Sequence, residues 1–256
     1  MKQNTSHAVM SQASPQSRLG RNFFPTPPWA TRALVNYLTV AYGRPGDCWD
    51  PAAGEGHMTV ALKDSIMPEA SVWGSDIFDY GAGFPVLDFL AMEKSAGPLV
   101  DWIITNPPFN KAVDFAHRCL DLQPVGGFAL LVRTTWLEGG KRYEALFRHN
   151  RPSYVMVFTE QVPMLEGVLN PKASSATSYS WFVWDTEKPG HDLSRPGGQT
   201  KTVWFPPGTR KNFERAGDYD PLTPAQRTAD GVKGYEVAME ALRKAKEEKE
   251  GGPFKA

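Results

Sequence analysis

Cysteine is nearly missing from this chain: two in 256 residues give no disulfide framework. Cys48 falls in an apolar strand pattern and Cys119 in a helical one, both ordinary settings for a buried free thiol. No Cys/His cluster has zinc spacing, and the five histidines, His7, His57, His117, His149 and His191, are scattered, so no metal is expected. Long apolar runs are absent too; nothing approaches the ~18–20 residues of a membrane span. The opening stretch MKQNTSHAVMSQASPQSRLG has no apolar segment of the secretory kind. A soluble, cytoplasmic protein with no membrane partner is the expectation. Net charge is zero, which argues against nucleic-acid binding by bulk electrostatics.

That zero is unevenly spread. Arg195, Lys201, Arg210, Lys211 and Arg215 share a stretch with one acid, Glu214. Arg133, Lys141, Arg142, Arg148 and Arg151 share another with Glu138 and Glu144. Each suits a phosphate-facing patch, and a plain solvated face accounts for each equally well.

The chain has ample material for a core, with 41% hydrophobic residues, eight Trp and fourteen Phe. Its length allows one large α/β domain or a medium domain with extensions. Residues 1–21 are polar and Ser/Gln-rich without periodicity, and read as a disordered tail. Pro27 or Thr26 opens a helix carrying Trp29, Ala33, Leu34, Tyr37 and Leu38. Apolar strands then alternate with helices: strands ending at Asp50 and Asp76, then strands at 100–105, 127–133, 154–158 and 179–184. Helices are expected near 57–65, at 112–122 and at 143–149. Such alternation predicts an α/β protein, a mostly parallel sheet with helices on both faces. The last strands, joined by a long loop, suit an antiparallel edge hairpin. Residues 22–185 are expected to form the main domain. Residues 186–256, richer in Gly, Pro, Lys and Arg, form an extension with a terminal helix over 224–248.

Asp50-Pro51-Ala52-Ala53-Gly54-Glu55-Gly56 follows the first strand, where open α/β sheets bind ligands. Gly54 and Gly56 let backbone approach a ligand closely. The loop is neither a dinucleotide fingerprint nor a phosphate loop. A leading carboxylate, Asp50, suits an ammonium group. Twenty residues after Gly56, Asp76, with Ile77 beside it, closes the second strand, where an acid accepts from both hydroxyls of a ribose. A turn or cap is the plainer role for it. Asp88-Phe89 offers a carboxylate for an adenine amino group and a ring to pack on the base; a surface acid beside a core Phe is nearly as good a description. Ammonium, ribose and adenine together describe S-adenosylmethionine.

Asn106-Pro107-Pro108-Phe109 ends the third major strand. Proline fixes its own φ and restricts its predecessor, so an Asn side-chain carbonyl and a Pro carbonyl stand side by side as two acceptors. They suit an exocyclic amine, and Phe109 suits a planar base. An ordinary strand-to-loop turn also uses Asn and Pro.

With the Asp50–Gly56 loop and the Asn106–Phe109 loop about fifty residues apart, the chain resembles the amino-group DNA methyltransferases of the N6-adenine type, in particular small phage-like or orphan enzymes. Phe24-Pro25-Thr26-Pro27 is similar to their upstream element against the methionine end of the cofactor. The resemblance covers roughly residues 22–185. It implies a Rossmann-like methyltransferase fold with a seven-stranded sheet, S-adenosylmethionine as cofactor and DNA as substrate. It assigns catalysis to Asn106, Pro107, Pro108 and Phe109. Cofactor binding falls to Thr26, Pro27, Asp50, Pro51, Ala52, Gly54, Gly56, Asp76, Ile77, Asp88, Phe89 and Asn106. The base is flipped out and its amine attacks the methyl group; no Cys nucleophile is needed. Lacking a sizeable recognition region, such an enzyme has short or relaxed specificity, with the loop 160–178 and the basic stretch 195–215 as the candidates. RNA adenine or a protein glutamine remains an alternative target, and a non-catalytic nucleic-acid-binding module of the same fold a third reading.

Overall fold

Seven short strands form one sheet in the computed structural model, which describes residues 22–94, 97–173, 177–186 and 199–221. The strands are β1 (Cys48–Asp50), β2 (Val72–Gly74), β3 (Trp102–Thr105), β4 (Gly127–Arg133), β5 (Tyr154–Phe158), β6 (Tyr179–Asp185) and β7 (Lys201–Phe205). Their spatial order is β2-β1-β3-β4-β6-β5-β7. Every pairing is parallel except those of β6, which runs antiparallel to both β4 and β5.

The sheet is sandwiched because its strands are apolar on both faces. Trp102 and Ile104 of β3, Leu131 of β4 and Trp181 of β6 belong to one core; Ile103, Leu130 and Phe182 belong to the other. That alternation is the two-residue period of a strand. Helix α1 (Pro28–Tyr42) covers the first core with Trp29, Leu34 and Leu38, and starts with proline at a position whose missing N–H costs no helical bond. Helix α2 (His57–Lys63) adds Met58 and Leu62. Helix α3 (Ala112–Leu122) covers the second core with Ala112, Phe115, Ala116 and Cys119, one helical stripe. Both cysteines are fully buried free thiols.

Three features depart from the sequence reading. The segment expected to be helical from Tyr143 is a single α turn, Gly140–Arg142 (α4), running into a π-helical turn, Tyr143–Phe147. The β5–β6 hairpin does not end the sheet, since β7 pairs parallel with β5 outside it. The sheet therefore continues past the expected boundary at 185. β7 escapes a sequence reading because it is a half-solvated edge, with only Phe205 buried, stacked on Phe158 at 4.6 Å.

The short helix α5 (Thr209–Phe213) and the turn after it are clipped to α1. Arg32, 4% exposed, donates to both carboxylate oxygens of Asp218 at 2.8 Å, to Asp64 at 3.1 Å and to the Phe213 carbonyl at 3.0 Å. Among the described residues, no helix is long and apolar enough to cross a membrane and no cluster of three His, Cys, Asp or Glu could hold a metal. The expected tail at 1–21, the expected helix at 224–248 and Arg195 lie outside the described residues.

The chain runs from β1 outward to β2, then returns to place β3 on the other side of β1. A crevice opens where that order reverses, over the carboxyl ends of β1 and β3. Asp50 ends one strand and Asn106 follows the other.

Candidate active site

Backbone hydrogen bonds tie the Asp50–Gly56 loop to the end of β2. The Ser75 N–H donates to the Asp50 carbonyl at 3.0 Å, and the Ala53 N–H to the Ser75 carbonyl at 2.9 Å. The Asp76 carboxylate completes the lacing, accepting from the Gly54 N–H at 2.9 Å and the Phe78 N–H at 3.0 Å. Gly54 sits at φ 54°, where a Cβ would stand 2.4 Å from the Phe23 ring. The glycine is required twice, by its left-handed backbone and by that close approach.

Asp50 is buried, 1% exposed, at the floor of this loop. Its Oδ1 accepts from the Thr105 hydroxyl at 2.7 Å and from the Ala52 N–H at 3.2 Å. Burial pushes its carboxyl up to about 7, against the two donors that lower it and with the Asp76 charge adding to the rise. Among the described residues no donor reaches Oδ2. A desolvated carboxylate with an unengaged oxygen gains most from a cationic ligand.

A cavity of about 500 Å³ lies over Asp50, a volume in the range of small-molecule sites. Of the residues singled out in the sequence, Thr26, Asp50, Pro51, Ala52, Asp76, Ile77, Asp88, Phe89, Asn106 and Pro108 line it. Pro27, Gly54, Gly56, Pro107 and Phe109 are not part of its wall. The lining suits a ligand with an ammonium at one end and a flat heterocycle at the other. Asp88 is exposed at the rim, and its Oδ1 already accepts from the N–H groups of Leu90 and Ala91 at 2.9 and 3.2 Å. Phe89 is 2% exposed and packs on Phe115 at 4.9 Å and edge-on to Trp49 at 5.2 Å. It is chiefly a core ring that reaches the cavity wall.

Several wall residues carry no sequence signal. Phe23, Phe78 and Tyr80 line the cavity, with Phe23 and Tyr80 at 4.7 Å between ring centroids. Isolated aromatics in loops show no periodicity, so nothing in the sequence joins residue 23 to residue 80. His57 opens α2 at the cavity, its Nδ1 buried and without a partner.

Asn106 is clamped from the upstream loop. Its Nδ2 donates to the Phe24 carbonyl at 2.8 Å and to the Thr26 hydroxyl oxygen at 3.1 Å, with Met164 Sδ at 3.8 Å. A carbonyl acceptor on that side settles which way the amide points. Its other end, Oδ1, is then a buried acceptor with no hydrogen-bond partner. The Phe24–Thr26 segment thus does more than pack beside a ligand: it aims this amide. The first part of the long loop after β5 joins the same layer, for Met164 is buried there and the Gly167 N–H donates to the Phe23 carbonyl at 2.7 Å.

Phe109 is not part of the cavity wall. Its ring contacts Phe24 at 4.9 Å and Tyr179 at 5.7 Å, with the Arg133 guanidinium 4.9 Å from its centroid. Several arginines of the two basic stretches are committed to partners within the protein. Arg210 pairs with Glu214 and Arg215 with Asp64; Arg148 pairs with Glu144, and Arg142 donates to the Trp136 and Glu138 carbonyls.

No protein-family model matches the sequence, and no curated protein matches it either. Solved structures do. One is the methyltransferase subunit of a type I restriction-modification system from Streptococcus thermophilus, 13% identical with a TM-score of 0.50, over 84% of this chain and 53% of that one. Another is a protein assigned as a class I S-adenosylmethionine-dependent methyltransferase from Listeria monocytogenes, 13% identical with a TM-score of 0.52, over 84% of this chain and 75% of that one. The chain spans about half the length of the restriction-modification subunit. At such identities the likeness is one of fold, and the fold is the Rossmann-like one of class I methyltransferases.

Proposed function

We propose that this protein transfers a methyl group from S-adenosylmethionine to the N6 amino group of adenine in DNA. One observation carries the reading: the buried, unpartnered Oδ1 of Asn106, beside a cavity whose floor is the desolvated carboxylate of Asp50. An orphaned buried acceptor costs about 1–3 kcal/mol. A planar N–H donor arriving at Asn106 removes that cost. The fold likeness to methyltransferases, among them a restriction-modification subunit, supports the class of reaction.

Residues of the chain fit the cofactor. Asp50 would hold its ammonium group, Asp76 its ribose hydroxyls, and Ile77, Phe78 and Tyr80 the flat face of its adenine, with Asp88 at the rim. Bound there, S-adenosylmethionine supplies an electrophilic methyl group. Asn106 Oδ1 and the Pro107 carbonyl accept the two N–H bonds of the target amine and hold its lone pair out of conjugation. The contribution is positioning by fixed dipoles, because Pro107 and Pro108 prevent the backbone from relaxing. Phe109, three residues after Asn106 and outside the cavity wall, offers its ring to a flipped base. The loop of residues 160–178 is the recognition segment nearest to Asn106, and a single loop of that size supports a short or relaxed sequence preference.

The test is transfer of a tritiated methyl group to unmethylated genomic DNA. Wild type incorporates label; Asn106→Ala loses at least about 10²-fold in rate while binding S-adenosylhomocysteine normally. Full incorporation by Asn106→Ala, or none by wild type, refutes the proposal.

A further inference from the structure

Arg133 ends β4, the neighbour of β3, so it emerges at the same edge of the sheet as Asn106. Its side chain is exposed, and its guanidinium lies over the Phe109 ring, 4.9 Å from the centroid. Phe24 and Tyr179, tilted by 43° and 32°, pack against the rest of that ring. Tyr179 is the residue opposite Arg133 in the β4–β6 ladder, so ring and guanidinium are brought together by the sheet itself. Among the described residues no carboxylate or carbonyl takes the Arg133 guanidinium. Arg142, Arg148, Arg210 and Arg215 all have such acceptors. A planar cation with five donors and only a ring beneath it is matched to a phosphate.

We propose that Arg133 binds the backbone phosphate next to the methylated nucleotide, and that without nucleic acid it covers the face of Phe109 on which the base stacks. The proposal rests on the reading of the site as a DNA methyltransferase. A cation–π contact at an exposed position is weak enough to break. A phosphate draws the guanidinium off the ring and exposes the stacking face in one motion, so backbone capture and base entry are coupled. Only side-chain rotation is needed, and β4 stays in place. Arg133 is thus a positioning residue for the polymer and makes no contact with the cofactor cavity, whose wall does not include it.

The experiment compares wild type, Arg133→Met and Arg133→Lys in the full chain. Methyl transfer to unmethylated genomic DNA is followed between 25 and 200 mM salt, and S-adenosylhomocysteine affinity is measured by calorimetry. For Arg133→Met the KM for DNA rises about 10-fold and the slope of log(kcat/KM) against log[salt] falls by about one. Its kcat stays within about threefold and its S-adenosylhomocysteine affinity is that of wild type. Arg133→Lys, which keeps the charge, recovers the salt slope. A wild-type KM and salt slope in Arg133→Met overturns the proposal, as does a loss confined to kcat, a loss of S-adenosylhomocysteine affinity, or a lysine variant that behaves like methionine. A wild-type chain that binds S-adenosylhomocysteine but leaves DNA unmethylated refutes the methyltransferase reading on DNA, and the Arg133 role with it.

Discussion

Asp50→Asn isolates the electrostatics of the cavity floor. In the free protein burial holds the Asp50 carboxyl at about 7, far above its ordinary value near 4. The folded-state value is raised, so this group stabilises the free protein most below about pH 4, and that contribution is lost as pH rises toward 7. Stability of the wild type therefore falls across that window, by an amount on the order of 4 kcal/mol. Ligand binding reverses the sign. An ammonium beside Asp50 favours the carboxylate, so below pH 7 each binding event releases a proton. With one such group, affinity for S-adenosylhomocysteine rises about 25-fold between pH 5.5 and 7.5 and then levels off. Asparagine keeps the shape and the acceptor for Thr105 but removes the charge. Asp50→Asn should bind at least about 10²-fold more weakly at pH 7.5, lose the part of the profile that Asp50 supplies, and be more stable than wild type at that pH without ligand. His57 and Asp76 also line the cavity and remain in the variant, so the difference between the two profiles belongs to Asp50. Calorimetry and urea unfolding at five pH values measure both halves. A wild-type affinity independent of pH, or an Asp50→Asn profile that still climbs about 25-fold, refutes the reasoning.

Thr105→Val removes the 2.7 Å donor to Asp50 at a fully buried position; it should cost about 1–3 kcal/mol in urea unfolding and move the affinity profile to higher pH, and an unmoved profile contradicts the role given to Thr105. Gly54→Ala forces a Cβ toward the Phe23 ring in a left-handed backbone; S-adenosylhomocysteine affinity should fall about 10-fold for a strain of ~1–2 kcal/mol, and unchanged affinity by calorimetry shows that Phe23 is not needed as cavity wall. Arg32→Met takes both guanidinium bonds from Asp218, leaving it the Arg215 N–H at 2.9 Å, and leaves the Phe213 carbonyl without its side-chain donor; the urea midpoint should drop by the equivalent of about 3–5 kcal/mol, and a drop under ~1 kcal/mol would mark this clip as an ordinary surface pair.

Continuous apolar strands made most of the sheet readable in the sequence. β4, β5 and α3 begin and end where their patterns do, since buried strands and one-sided helices leave strong periodicities. β7 lacked that signal because four of its five residues are not buried. Asp50, Asp76 and Asn106 were legible because strand ends and glycine loops have a fixed place in an α/β sheet, and the structure brings all three to one cavity. The hydrogen bonds between them were not. That Thr26 aims the Asn106 amide, and that Asp76 uses both oxygens on backbone N–H groups, are contacts across 80 and 22 residues. The basic stretch from 195 to 215 suits a phosphate patch and a solvated face equally well in sequence, and in the structure Arg210 and Arg215 are spent on Glu214 and Asp64. Composition counts charges; only the fold shows which are already neutralised.

The strand β7 also sets where the chain can be cut. It flanks β5, whose sequence Tyr154-Val-Met-Val-Phe158 is apolar, uncharged and free of proline, and the Arg32–Asp218 clip anchors the chain beyond it. Removing residues after 186, as one would trim a dispensable arm, strips β5 of its outer partner and bares a flat, sticky ladder. Such a truncation yields insoluble protein, so any shortened chain must keep both β7 and the Arg32–Asp218 clip.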